Sequence, residues 1–183
     1  MSSYAEKTQN KQRVEVMLDQ DRLSQKINDL GQQITADYAG KSPIFLGILK
    51  GCFVFLSDLI RAIDLPMEVD FISAASYRQG MVSDDQISLG VPTNIDVKDR
   101  HILLVEGIVD TGRTVTTIKE QLKDMEPASV EIVTLLDKPT SHRVKLDIKY
   151  RGFIVGNEFV IGFGLDNAQK YRNLPFVGKL VDN

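Results

Sequence analysis

Between Leu103 and Val115 the chain reads LLVEGIVDTGRTV, an apolar run broken by Glu106, Gly107 and Asp110 and closed by small and hydroxyl residues. A carboxylate inside a core strand is expensive unless it is paired or faces a cleft. At a strand end, Glu106 can accept hydrogen bonds from sugar hydroxyls or help hold a metal ion; a structural salt bridge is the plainer alternative. The segment DTGRT, residues 110–114, offers backbone N–H groups and hydroxyls where a strand turns into a helix, a natural seat for a phosphate. An ordinary turn capped by Thr114 accounts for the same five residues equally well.

The elements that must position these groups follow from apolar spacing. Leu23, Ile27, Leu30, Ile34 and Tyr38 predict a helix that stops at Gly40. PIFLGIL (43–49) predicts a buried strand ending in Lys50-Gly51, and Phe53, Leu56, Leu59, Ile60 and Ile63 the inner face of the next helix. A strand is predicted over 67–77, ending in Ser76-Tyr77. Residues 78–99 are mostly polar, with turn signals at Gly80, Gly90 and Pro92, and predict a mobile active-site loop. HILLVEGIV (101–109) and VEIVTLL (130–136) read as core strands, with a helix through Val115, Ile118 and Leu122 between them. Two short strands, around 151–155 and 159–163, precede what reads as a polar tail.

Strands alternating with helices predict an α/β fold, a parallel sheet flanked by helices, in one domain spanning 1–183. In such sheets ligands bind beyond the carboxyl ends of the strands. Lys50, Ser76, Glu106, Asp110, Lys138 and Asp166 all fall at or after such ends.

The chain's 183 residues suffice for a substantial core, and its 43% hydrophobic and 26% charged content is ordinary for a globular protein. A net charge of −3 gives no basic footprint for nucleic acid. Cys52 is the single cysteine, which excludes an intramolecular disulfide and a cysteine-based zinc site. Cys52 reads as a small buried residue, and neither His101 nor His142 carries an expected role. The polar start, MSSYAEKTQNKQR, lacks the apolar core of a signal peptide, and no apolar stretch is long enough to span a membrane. A cytoplasmic protein is the expectation.

VEGIVDTGRT resembles the phosphoribosyl pyrophosphate motif of the type I phosphoribosyltransferases, in which two acidic residues, two aliphatics and Asp-Thr-Gly-x-Thr follow an apolar strand. LKGC (49–52), SY (76–77), LLDK (135–138), GFGLD (162–166) and YRNLP (171–175) resemble the hypoxanthine-guanine phosphoribosyltransferases in order and spacing. The resemblance covers roughly Val14 to the C-terminus. It implies a small hood built from the terminal segments above the sheet.

The resemblance also implies roles. Asp110 would be the acid/base group near N7 of the purine, and Asp110, Thr111, Gly112, Arg113 and Thr114 would bind the 5′-phosphate. Leu49, Lys50 and Gly51, with a cis peptide before the lysine, would bind pyrophosphate together with Arg172. Lys138 would donate to the 6-oxo group, Phe159 would stack on the base and the backbone of Val160 would meet its edge. Glu106 would face the ribose, and Asp166 would hold Mg2+ through water at the purine end, with Glu106 a second candidate ligand for the metal. Ser76 and Tyr77 would begin the lid. The substrates would be phosphoribosyl pyrophosphate and a 6-oxopurine base, the products IMP or GMP, and the assembly a homodimer or homotetramer, with no nucleic-acid or membrane partner. The alternatives are a nucleotide-sensing or RNA-binding regulator on the same fold and a xanthine-preferring relative.

Four residues, at three places, depart from the pattern. Gly107 stands in place of the second acidic residue, Gly156-Asn157 in place of Pro-Asp, and Asn167 in place of a common aromatic. If Gly107 simply lacks a carboxylate, Gly107→Asp should tighten binding of phosphoribosyl pyrophosphate; if glycine is needed for its backbone angle, the variant should bind more weakly.

Overall fold

The computed structural model describes residues 12–73 and 96–182. Its main sheet has five parallel strands in the order β3-β2-β4-β5-β6: β2 is Ile44–Leu49, β3 Glu68–Ser73, β4 His101–Val109, β5 Ser129–Asp137 and β6 Tyr150–Ile154. The core strands read as unbroken apolar runs because both of their faces are covered. Phe45, Leu103, Val105, Val133 and Leu135 point to one face, where α1 (Gln20–Asp37) and α2 (Phe53–Arg61) pack. Ile44, Leu46, Ile102, Leu104, Val130 and Ile132 point to the other, against Val115, Ile118 and Leu122 of α3 (Arg113–Lys123).

The helices sit where their spacing predicts. In α1, Leu23, Ile27, Leu30 and Ile34 form one buried stripe, and the Asp19 side chain caps the start by accepting from the Arg22 N–H at 2.9 Å. From β2 the chain steps outward to β3, then returns to the other side of β2 as β4. This reversal opens a crevice beyond the C-terminal ends of β2 and β4, the usual ligand position in such sheets.

A second sheet is formed by the terminal segments. β1 (Gln12–Leu18) pairs antiparallel with β8 (Val177–Asp182), which also pairs with β7 (Val160–Ile161). This is the hood, and its Leu18, Val160, Phe163, Leu165 and Val177 join the core on the α1/α2 face. The expected polar tail is therefore corrected to a strand: Val177 is fully buried, and Leu180 is partnered by Val14. At the far end of the expected loop, Val97 is 2% exposed within the α3-side core. Residues 78–95 of that loop, and Ser76 and Tyr77, lie outside the described residues. Among the described residues, no helix is long and apolar enough to cross a membrane.

Candidate active site

Asp110 follows β4 and enters the turn to α3. Gly112, at φ 78°, is the N-cap of that helix, a left-handed conformation that glycine adopts without a Cβ penalty. No side chain caps the helix, and its first backbone bond runs from the Thr116 N–H to the Gly112 carbonyl at 3.1 Å. Thr114 is thus not the cap, and the early N–H groups are left free of any capping side chain. Of the two readings of DTGRT, the anion cradle is the one this geometry favours.

Beside it stands Lys138, 6% exposed, at the end of β5. Its backbone N–H bonds the Val109 carbonyl at 2.9 Å, which ties it to the end of β4. The ammonium donates to the Glu158 carbonyl at 2.7 Å and lies 3.9 Å from Asp110 Oδ2. The next residue, Phe159, is 62% exposed, so it is not a core side chain; Val160, after it, is buried in β7. Lys138, Asp110 and the 158–160 segment therefore meet at one wall of the crevice.

Two further groups hold this wall, and neither was given a role in the site from sequence. Asp137 is fully buried, with His142 Nε2 2.7 Å from Oδ1 and Arg151 Nε 2.7 Å from Oδ2. A buried carboxylate without such partners would be untenable, so this pair fixes the turn that carries Lys138. On the other side, Asn157 Oδ1 accepts from the hydroxyls of Thr140 and Ser141 at 3.0 and 2.9 Å. The Gly156-Asn157 departure thus leaves a working tie. The only local signal for Asp137 was a charged residue closing an apolar strand, and its partners come from other elements.

The opposite wall is built on the loop after β2. The Leu49–Lys50 peptide is cis, as the resemblance implied. Lys50 Nζ reaches Gln169 Oε1 at 3.4 Å, and Arg172 Nη2 reaches the same oxygen at 3.2 Å. Arg172 also pairs with Asp166 Oδ1 at 2.7 Å and donates to the Gly164 carbonyl at 2.8 Å, while Asp166 Oδ2 accepts from the Gln169 N–H at 2.8 Å.

Gly107 is explained by what it touches. A Cβ there would lie 2.6 Å from the Gly51 carbonyl oxygen, and one at Gly164 would lie at the same distance from that oxygen. The Lys50-Gly51 loop is wedged between β4 and the 162–166 segment, and glycine on both sides makes room for it. Gly107 is not among the positive-φ residues, so crowding rather than backbone angle is the reason. The missing-carboxylate account of Gly107 is corrected accordingly.

Glu106 lies between the two walls, beside Gly51. It is half-buried, and its Oε1 accepts from the Gly107 N–H at 3.0 Å. Surrounding protein pushes its pKa up to about 8, only partly offset by backbone N–H groups. No ion pair to a cationic side chain is recorded for it among the described residues. Such a carboxylate suits a hydroxyl or a divalent cation. Both oxygens of Asp166 already have protein partners, which suits contact with a metal through water rather than directly. Magnesium characteristically takes one or two carboxylates and completes its shell with water and substrate phosphates, so these residues fit it.

Residues 14–168 match the phosphoribosyl transferase domain family. The hypoxanthine-guanine phosphoribosyltransferase of Lactococcus lactis is 45% identical over 175 residues, 96% of this chain and 95% of that protein. The chain belongs to the hypoxanthine-guanine phosphoribosyltransferase family. The bifunctional protein TilS/HprT of Listeria innocua is 42% identical over 165 residues, 90% of this chain, and there the match spans only 26% of the relative's length. Among solved structures, a hypoxanthine-guanine phosphoribosyltransferase from Bacillus anthracis superposes with a TM-score of 0.82 at 34% identity, covering 93% of this chain and 99% of that one. The five-stranded parallel sheet with its hood is the fold this chain shares with that solved structure.

Proposed function

We propose that this protein transfers the 5-phosphoribosyl group of phosphoribosyl pyrophosphate to hypoxanthine or guanine, giving IMP or GMP and pyrophosphate. The observation that carries this reading is the order of groups along the crevice. An uncapped helix start and Asp110 stand between a purine wall, Lys138 with the exposed Phe159, and a cation pair, Lys50 with Arg172. The names of the relatives in Lactococcus lactis and Bacillus anthracis specify the same two bases.

Displacement at the anomeric carbon builds positive charge on the ribose and negative charge on the leaving pyrophosphate. Lys50 and Arg172 stabilise the leaving group, and the turn 110–114 anchors the 5′-phosphate. Glu106 accepts from a ribose hydroxyl. Asp110 handles the N7 proton of the purine, and Lys138 donates to the 6-oxo group while Phe159 covers the ring. Glu106 and, through water, Asp166 would hold Mg2+, which would supply further charge neutralisation on the pyrophosphate. A lid beginning at Ser76-Tyr77 would exclude water. We read the chain as one cytoplasmic domain that assembles as a homodimer or homotetramer.

The test is nucleotide formation with phosphoribosyl pyrophosphate, magnesium and each purine in turn. Lys138 is a donor only, so it meets another donor at the 6-amino group of adenine. A buried donor left unpaired costs about 1–3 kcal/mol, and a site built on that bond rejects the wrong base strongly. Hypoxanthine and guanine should react and adenine hardly at all. Comparable rates with adenine would remove the role given to Lys138.

A further inference from the structure

One residue at the cation pair carries none of the expected roles. Gln169 Oε1 stands between Lys50 Nζ, at 3.4 Å, and Arg172 Nη2, at 3.2 Å, and so links two cations that come from opposite ends of the chain. Its own backbone is held by the Asp166 carboxylate, the same group that pairs with Arg172.

The turn that carries it is an unfavourable place for its side chain. Asn167 and Lys170 exchange both backbone hydrogen bonds, at 3.1 and 3.0 Å, around Ala168 and Gln169. Both central residues have positive φ, 50° and 66°. Two-residue hairpin turns of this kind favour glycine or asparagine, because other side chains are strained there. Strain of this sort is characteristic of positions retained for function.

We infer that Gln169 is a positioning residue of the pyrophosphate subsite: its neutral amide oxygen holds Lys50 and Arg172 side by side until an anionic oxygen replaces it. Without the amide oxygen Lys50 would lose this contact and swing away toward solvent, while Arg172 would stay held by Asp166 and the Gly164 carbonyl. A carboxylate in this place would hold them too firmly, because hydrogen bonds to charged groups are roughly twice as strong as neutral ones. An amide holds the pair and yields to a phosphate. The assignment rests on the proposed role of Lys50 and Arg172 as pyrophosphate ligands.

Calorimetry with magnesium pyrophosphate, and separately with GMP, tests it on the full chain. GMP occupies the phosphate turn and the purine wall but not the cation pair. Gln169→Glu should weaken pyrophosphate binding about tenfold or more, by one extra charged contact, and leave GMP binding unchanged. Gln169→Gly should weaken pyrophosphate several-fold while the melting temperature stays level or rises, since the turn is relieved. Equal or tighter pyrophosphate binding in either variant overturns the inference, as does an equal loss for GMP, which would mark general damage. Lys50→Met separates the two claims. Should it bind pyrophosphate as tightly as the unaltered protein, the subsite itself is misassigned; should it bind weakly while Gln169→Glu does not, only the role of Gln169 fails.

Discussion

The two ends of the main sheet carry polar clusters of similar size and opposite character. At the N-terminal ends of β4, β5 and β6, His101 Nδ1 meets Ser129 Oγ at 2.8 Å, and the fully buried Tyr150 donates to Asp37 at 2.7 Å. Lys149 lies 3.6 Å from the same carboxylate and over the rings of Tyr38 and Tyr150. Each polar group there is answered by another. At the C-terminal ends, the helix start is uncapped, Phe159 is bare, and Lys50 holds its only acceptor among the described residues at 3.4 Å. Both ends carry buried as well as charged groups. What distinguishes a site from a structural cluster is hydrogen-bonding capacity left for something else.

Substitutions at the open end should therefore cost activity, and those at the closed end stability. The largest expected effect is at Asp110. Asp110→Asn keeps the shape but removes the base, and single-turnover nucleotide synthesis should fall about 10²–10⁴-fold while IMP still binds. An unchanged single-turnover rate would show that the proton is handled elsewhere.

Gly107 comes next, and it tests whether the open end tolerates added contacts. Gly107→Asp forces the Gly51 carbonyl away from its present position, because the Cβ alone would lie 2.6 Å from that oxygen. Overpacking of this kind costs about 1–3 kcal/mol. Binding of phosphoribosyl pyrophosphate should weaken and the melting temperature should fall, with the purine Michaelis constant little changed. Tighter binding in the intact fold would restore the missing-carboxylate account.

At the closed end, Tyr150→Phe removes a buried donor from Asp37 and leaves the ring in place. The loss should be about 1–2 kcal/mol in denaturant unfolding, with catalytic parameters unaltered. A change in turnover without a change in stability would break the contrast between the ends.

The same contrast explains what was legible in the sequence. β2, β4 and β5 announce themselves because burial on both faces leaves a continuous apolar run, and 101–109 falls on the observed strand. The groups at their ends follow from chain order alone. β1 and β8 are harder. Val16 is 50% exposed, and the pair forms only because Gln12 and Asp182, at the two ends of the chain, meet. Gln169 has one of its two cationic partners 119 residues away, and Asp137 needs β6 to supply Arg151. Local pattern records burial and turns well. It does not record which distant side chain completes a polar group, so the motif residues were visible and their supports were not.

The smallest effects distinguish the two ends by the sign of their pH dependence, with magnesium and substrates absent. Glu106, at the open end, has its pKa raised by burial from 4.5 to about 8. Between those values the folded chain keeps a proton that the unfolded chain releases. Its contribution is fully present below pH 4.5 and is lost as pH rises through about 8. His101, at the closed end, has its pKa lowered from 6.5, first by burial and then by Lys41 and Lys149. There the unfolded chain takes up a proton that the folded chain refuses. Its contribution is present above pH 6.5 and is lost as pH falls through the lowered value. Melting temperatures should be compared across pH 5–8 as differences between each variant and the unaltered protein, so that other titrating groups cancel (roughly the window between these pKa values). Relative to that protein, Glu106→Gln should gain stability as pH rises, because it no longer has a proton to lose. His101→Gln should gain as pH falls, because its unfolded state no longer takes up the proton. Parallel slopes for the two variants would mean that the two ends do not differ in the way their contacts indicate.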